Sequence, residues 1–118
     1  MHALEPRATF VSYAKADVSD DAADRRQKLG VLEGLIQRRL GPVFIDEIHN
    51  GDGNHVAVVA ALEQATVFCV IQGDRYWTRP WPRWEYDHAV ARKMLIYEIV
   101  LPEFKLQRHD GPWLNAAA

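Results

Sequence analysis

Short β-prone runs alternate along this chain with stretches of helical period, and no other feature constrains the fold as strongly. The first run, Ala8-Thr9-Phe10-Val11-Ser12-Tyr13, ends in the polar segment 14–21. From Asp21 the period changes. Leu29, Leu32, Leu35, Ile36 and Leu40 recur at three and four, with basic residues between them, until Gly41-Pro42 stops the pattern. This predicts a helix of about five turns. Val43-Phe44-Ile45-Asp46 reads as a second strand that opens into the turn-rich segment 49–54. Val56, Val59, Ala60 and Leu62 return to helical spacing, and Thr66-Val67-Phe68-Cys69-Val70-Ile71 reads as a buried strand. An aromatic and basic loop over 73–82 precedes a helix over 84–94 and a strand over 95–101 that Pro102 closes. In the weakly patterned tail 103–118, Phe104 and Leu106 suggest a fifth strand.

The order β-α-β-α-β-α-β implies a parallel sheet with helices on both faces, joined by right-handed crossovers. The expected fold is therefore a flavodoxin-like three-layer α/β/α arrangement, its central parallel sheet of four or five strands ordered 2-1-3-4-5. At 118 residues the chain suits one domain, with its core over about 8–102. Ligands in such sheets bind beyond the carboxyl ends of the strands, where the strand order reverses.

Fourteen basic and 16 acidic side chains leave a net charge of −2, which gives no overall field to hold a polyanion, so nucleic acid is not an expected partner. Cys69 is the single cysteine and lies in an apolar run, as a core residue in a reducing, cytoplasmic protein would. Residues 1–7 lack the apolar segment of a signal peptide, and no stretch of about 18 apolar residues is present to span a membrane.

The expected sheet brings residues 12–17 beside residues 73–85, and the second segment is the densest chemical cluster in the chain. Tyr76, Trp77, Trp81 and Trp84 are interleaved there with Arg75, Arg79 and Arg83, and Glu85 falls on the first turn of the expected helix. Only Trp81 gains a functional reading from its spacing. Trp84 reads as structural and Trp77 fits either role.

These residues carry a resemblance. Phe10-Val11-Ser12-Tyr13 followed by Asp17, then Val43-Phe44-Ile45-Asp46, then Tyr76, Trp81 and Glu85 resemble the successive motifs of Toll/interleukin-1 receptor (TIR) domains, in order, over residues 8–102. The last motif is the most specific: a tyrosine, a tryptophan five residues on and a glutamate four after that. The resemblance implies that Glu85 is the catalytic carboxylate of an NAD+ glycohydrolase or ADP-ribosyl cyclase, with NAD+ as substrate rather than cofactor. It also implies self-association, a signalling or defence role, and a pocket lined by Ser12, Tyr13, Ala14, Lys15, Asp46, Tyr76 and Trp81. Gly73, Arg79, Pro82 and Ala14 depart from the family's usual residues, and segment 47–54 lacks its usual Pro-Gly pair.

The chemistry is compatible with a single carboxylate, because the nicotinamide of NAD+ is cationic and leaves as a neutral molecule without a general acid. Glu85 would stabilise the oxocarbenium-like ribose, Trp81 would stack on the nicotinamide, and Lys15 would meet the pyrophosphate. Other readings are available. Glu85 also has the reading of a helix-start acid favoured by the macrodipole, against which the motif spacing weighs. Asp46, His49, Asp52 and His55 recur every third residue, but across a turn-rich loop, where solvated side chains explain them better than a metal. His88, one turn after Glu85, would shift the carboxyl if close. Ser12 lacks a nucleophile-elbow motif. Beside the NAD+-cleaving reading stand a non-catalytic TIR-like interaction module, which needs Glu85 exposed or tied into an ion pair, and a nucleotide N-glycosidase or deoxyribosyltransferase.

Overall fold

The computed structural model describes residues 9–50, 55–101, 103 and 105–109. Strands β1 (Thr9–Tyr13), β2 (Val43–Phe44), β3 (Val67–Gln72), β4 (Leu95–Val100) and β5 (Lys105–His109) form one sheet in the order β2-β1-β3-β4-β5. The first four run parallel, with Phe10 opposite both Phe44 and Phe68 and Val70 opposite Glu98. The flavodoxin-like expectation holds in class and in order. Four of its strands are parallel, as expected, and the fifth, β5, joins the edge antiparallel to β4. The connection 101–104 is far too short for the crossover of a dozen or more residues that a parallel neighbour needs. Of the two residues that suggested this strand, Leu106 is buried within it and Phe104 lies outside the described residues, as do Ala8, Pro102 and the tail beyond His109.

Helix α1 (Lys15–Val18) follows β1 at once and α2 (Ala22–Leu40) returns the chain to β2. Asp21 caps α2 by accepting the Asp24 N–H at 2.8 Å, and Gly41 ends it at φ 82°, a conformation that favours glycine. Leu29, Leu32 and Ile36 of α2 are fully buried and pack on Val11, Cys69, Ile71, Ile99 and Leu106 from one face of the sheet. Helix α3 (Asp46–His49) begins where a longer second strand was expected, so that strand is only two residues long. Helices α4 (His55–Gln64) and α5 (Pro80–Ala91) cover the other face, burying Val58, Leu62, Tyr86 and Ala89 against Phe10, Phe44, Phe68 and Val70. Three layers result. Phe10 stacks between Phe44 and Phe68 at centroid distances of 5.7 and 5.9 Å, knitting β2, β1 and β3 together on the α4/α5 face.

Helix α5 starts at Pro80 rather than near Trp84. Proline at the first helical position has no N–H to lose and a φ already suited to the helix. Glu85 therefore stands in the second turn and not the first, which removes the helix-start reading of that acid. Among the described residues no helix is long and apolar enough to cross a membrane.

Candidate active site

Strand β1 connects to one side of the sheet and β3 to the other, so the switch point lies at their carboxyl ends. A cleft of about 470 Å³ opens there, bounded by the end of β1, α1, the start of α3 and the first turns of α5. Tyr13, Ala14, Lys15, Asp46, Trp81 and Glu85, all expected site residues, line it. Ser12 and Tyr76 do not. They are 1% and 0% exposed and stand behind the carboxyl of Glu85 as its support, a correction to their expected place in the pocket wall.

Side chains alternate along β1, so Phe10 and Ser12 face the α5 side while Val11 and Tyr13 face the α2 side. Ser12 Oγ donates to Glu85 Oε1 at 2.7 Å and lies 2.7 Å from the Tyr76 hydroxyl, which donates to the Pro82 carbonyl at 3.1 Å. Glu85 is 4% exposed, and burial pushes its carboxyl up to about 7. The Ser12 bond lowers it, the negative charge of Asp46 raises it, and hydrogen bonding from Trp81 lowers it. His88 is not among these causes; it stacks on Trp84 at 5.4 Å instead. None of the ion pairs among the described residues includes Glu85.

The opposite rim is tied down by a second set of contacts. Tyr13 donates to Glu47 at 2.9 Å, and Arg25 grips both oxygens of Glu47 at 2.8 and 2.9 Å while donating to the Ser19 carbonyl. Burial and the Glu47 charge push the Tyr13 phenol far above its ordinary range, so this hydroxyl remains a donor. Asp46, the first residue of α3, accepts from Asn50 at 2.8 Å. His49 Nδ1 accepts the Ile45 N–H at 2.8 Å, which fixes the proton on Nε2, 2.7 Å from Glu33. His49 and Asp46 are thus committed locally. Among the described residues no three metal-ligating side chains gather, and Asp52, one of the residues spaced by three, lies outside those residues.

Lys15 and Arg79 are exposed cations at the mouth of the cleft. Helix α5 offers few backbone donors at its start. Pro80 and Pro82 have no N–H, and that of Arg83 bonds the Arg79 carbonyl at 3.3 Å. Trp81 and Trp84 are 39% and 42% exposed and stack on each other at 5.0 Å, which places Trp84 on the surface rather than in the core. Trp77 is the structural one. It packs on Tyr76 and Tyr86 edge to face, and its indole N–H donates to Gln72 at 3.4 Å. Cys69 is fully buried, which pushes its thiol up to about 12.

Sequence reasoning missed three contributors: Arg25, Glu47 and the Asp17 tie. Asp17 Oδ1 accepts the Arg75 N–H at 2.9 Å and so fastens α1 to the loop after β3. The paired charges Arg25 and Glu47 are 22 residues apart, and nothing local signals their meeting.

No family model matches the chain, and comparisons with curated proteins and with solved structures find no match.

Proposed function

We propose that this protein is a TIR-like NAD+ glycohydrolase or ADP-ribosyl cyclase in which Glu85 is the catalytic carboxylate. The observation that carries the reading is the placement of Glu85: a nearly buried carboxyl, held by Ser12, whose accessible edge faces the cleft at the switch point. A buried carboxylate without an ion-pair partner is costly to the fold, and such groups cluster at functional sites. The interaction-module reading needs Glu85 exposed or salt-bridged, and it is neither among the described residues.

In the proposed reaction the bond between nicotinamide nitrogen and ribose C1′ breaks, and its electron pair leaves with the neutral nicotinamide. Glu85, ionised, stabilises the positive charge that develops on the ribose, in a cleft whose apolar walls strengthen the interaction. Water adds to C1′ and releases a proton to give ADP-ribose; attack by an adenine nitrogen instead gives the cyclic product. Lys15 and Arg79 offer positive charge to the pyrophosphate. Self-association and a cytoplasmic signalling or defence role belong to the same proposal.

Nicotinamide release from NAD+ should be followed for wild type and Glu85→Gln at low and high protein concentration, with nucleoside monophosphates as parallel substrates. Release by wild type with a loss of at least about 100-fold in Glu85→Gln supports the proposal. Base release from a nucleotide alone would move the assignment to a nucleotide N-glycosidase, and no turnover at any concentration would favour the interaction module.

A further inference from the structure

Four oxygens stand in a row behind the cleft: Glu85 Oε1, Ser12 Oγ, Tyr76 Oη and the Pro82 carbonyl, at successive separations of 2.7, 2.7 and 3.1 Å. All four residues are buried. Each hydroxyl carries one hydrogen, and each of the three short contacts needs one. With Glu85 ionised there are two hydrogens for three contacts. Only the carboxyl can supply the third.

We propose that Ser12 and Tyr76 form a reversible hydrogen-bond chain, donating away from Glu85 when its carboxyl holds a proton and toward it when the proton leaves, with Tyr76 a positioning residue. In the protonated state Glu85 donates to Ser12, Ser12 to Tyr76 and Tyr76 to the Pro82 carbonyl. In the ionised state Tyr76 turns to Ser12 and Ser12 to Glu85, leaving the carbonyl its helical role alone. Pro82 sits in the same turn of α5 as Trp81, so the proton on Glu85 is coupled to the segment that forms the aromatic wall of the cleft. A cationic nicotinamide beside Glu85 favours the ionised state, so binding it turns the chain around.

The surroundings suit a group that changes state near neutrality. Burial pushes the Glu85 carboxyl up to about 7, whereas burial pushes the Tyr76 phenol well above its ordinary range and keeps its hydrogen in place. The charged and titratable groups that bear on the pair come from several elements: Asp46 from α3, Cys69 from β3, Tyr86 from α5, and, across the cleft, Lys15, Arg25 and Arg79.

The inference rests on Glu85 as the acting carboxylate, but its test needs no turnover. Infrared difference titration reads the protonated carboxyl band directly, with Glu85→Gln identifying the band that belongs to Glu85. Ser12→Ala removes the donor to the carboxylate, so the midpoint should rise by about one pH unit. Tyr76→Phe should move it the other way, down by about half a unit, because the protonated state then leaves the Ser12 hydrogen without an acceptor. A simple supporting phenol would raise the midpoint or leave it in place, and either result overturns the proposal. Should Tyr76→Phe fail to fold, the wild-type phenol C–O band decides. It should shift in step with the carboxyl band and stay flat across the same pH range in Glu85→Gln; a flat band in wild type overturns the chain. Loss of nicotinamide release with these shifts intact would instead count against the proposed reaction alone.

Discussion

The indole of Trp81 stacks on the imidazole of His55 with centroids 5.1 Å apart and planes 18° from parallel, linking α4 to α5 beside the cleft. The stack continues through Trp84 to His88, at 5.0 and 5.4 Å. Trp81 is therefore held by two rings at once, although it is more than a third exposed.

Removing one of those supports should loosen the wall without touching the carboxylate. In the proposed reaction, His55→Ala should raise KM for NAD+ about 3- to 10-fold with kcat within about 2-fold of wild type, which is the loss of a stacking contact of about 1 kcal/mol expressed as uniform binding. Steady-state kinetics of nicotinamide release on purified protein checks it. A fall in kcat with KM unchanged would place His55 in the chemical step instead.

Position 73 is glycine because of Asp17. A Cβ there would sit 2.7 Å from the Asp17 Cβ and 2.8 Å from Oδ1, inside van der Waals contact, and the Asp17 side chain cannot withdraw without releasing the Arg75 N–H. Gly73→Ala should destabilise the fold by about 1–3 kcal/mol. In a double-mutant cycle with Asp17→Gly, the combined loss should be smaller than the sum of the two single losses, since removal of the Asp17 side chain takes away the clash. Urea denaturation of the four proteins measures the coupling, and strict additivity would show that the contact is relieved elsewhere.

Most of the fold was readable because long-period signals survive in a single sequence. Leu29, Leu32 and Ile36 announced α2 and its buried stripe, and the apolar run at 67–71 announced the central strand. Helix α4 was found but its buried face was not. Its residues are apolar on nearly all sides, so the period cannot distinguish the buried Val58 and Leu62 from Val56, which is 75% exposed. The start of α5 was misplaced because two prolines in its first turn look like loop residues to a local reading. At the site, the residue set was largely legible and its layering was not. Ser12 and Tyr76 come from segments 64 positions apart, and only the pairing of β1 with β3 puts one behind the other's partner.

Lys93 adopts φ 59° where α5 turns into β4, with the Met94 N–H bonded to the Ala89 carbonyl and the Lys93 N–H to that of Val90. This is the paired closure that ends many helices, and its left-handed position favours glycine. Lys93→Gly should relieve the Cβ strain and raise stability by about 0.5–1 kcal/mol, even after allowing for the greater freedom of glycine in the unfolded chain. Thermal unfolding at equal protein concentration reads the gain. Lys93→Val should move the melting temperature the other way, since a β-branched residue tolerates this conformation least.

The pH dependence of Glu85 has opposite signs for stability and for activity. Its folded carboxyl is raised to about 7 from an ordinary 4.5, so between those values the folded state binds more protons than the unfolded one. The stabilisation attached to this group is thus complete below about pH 4.5 and is lost as pH rises through 7, a difference of about 3 kcal/mol. In the proposed reaction activity runs the other way, because the ionised form would be the one to stabilise a ribosyl cation: kcat/KM should climb tenfold per pH unit below 7 and level off above it. Glu85→Gln, isosteric and uncharged, keeps an oxygen for the Ser12 hydroxyl. It should therefore melt higher than wild type at pH 8 and close to it at pH 5, while releasing no nicotinamide at either pH. Equal melting temperatures for the two proteins at pH 8 would mean that Glu85 ionises without strain, and the argument for a poised, buried carboxylate would fall.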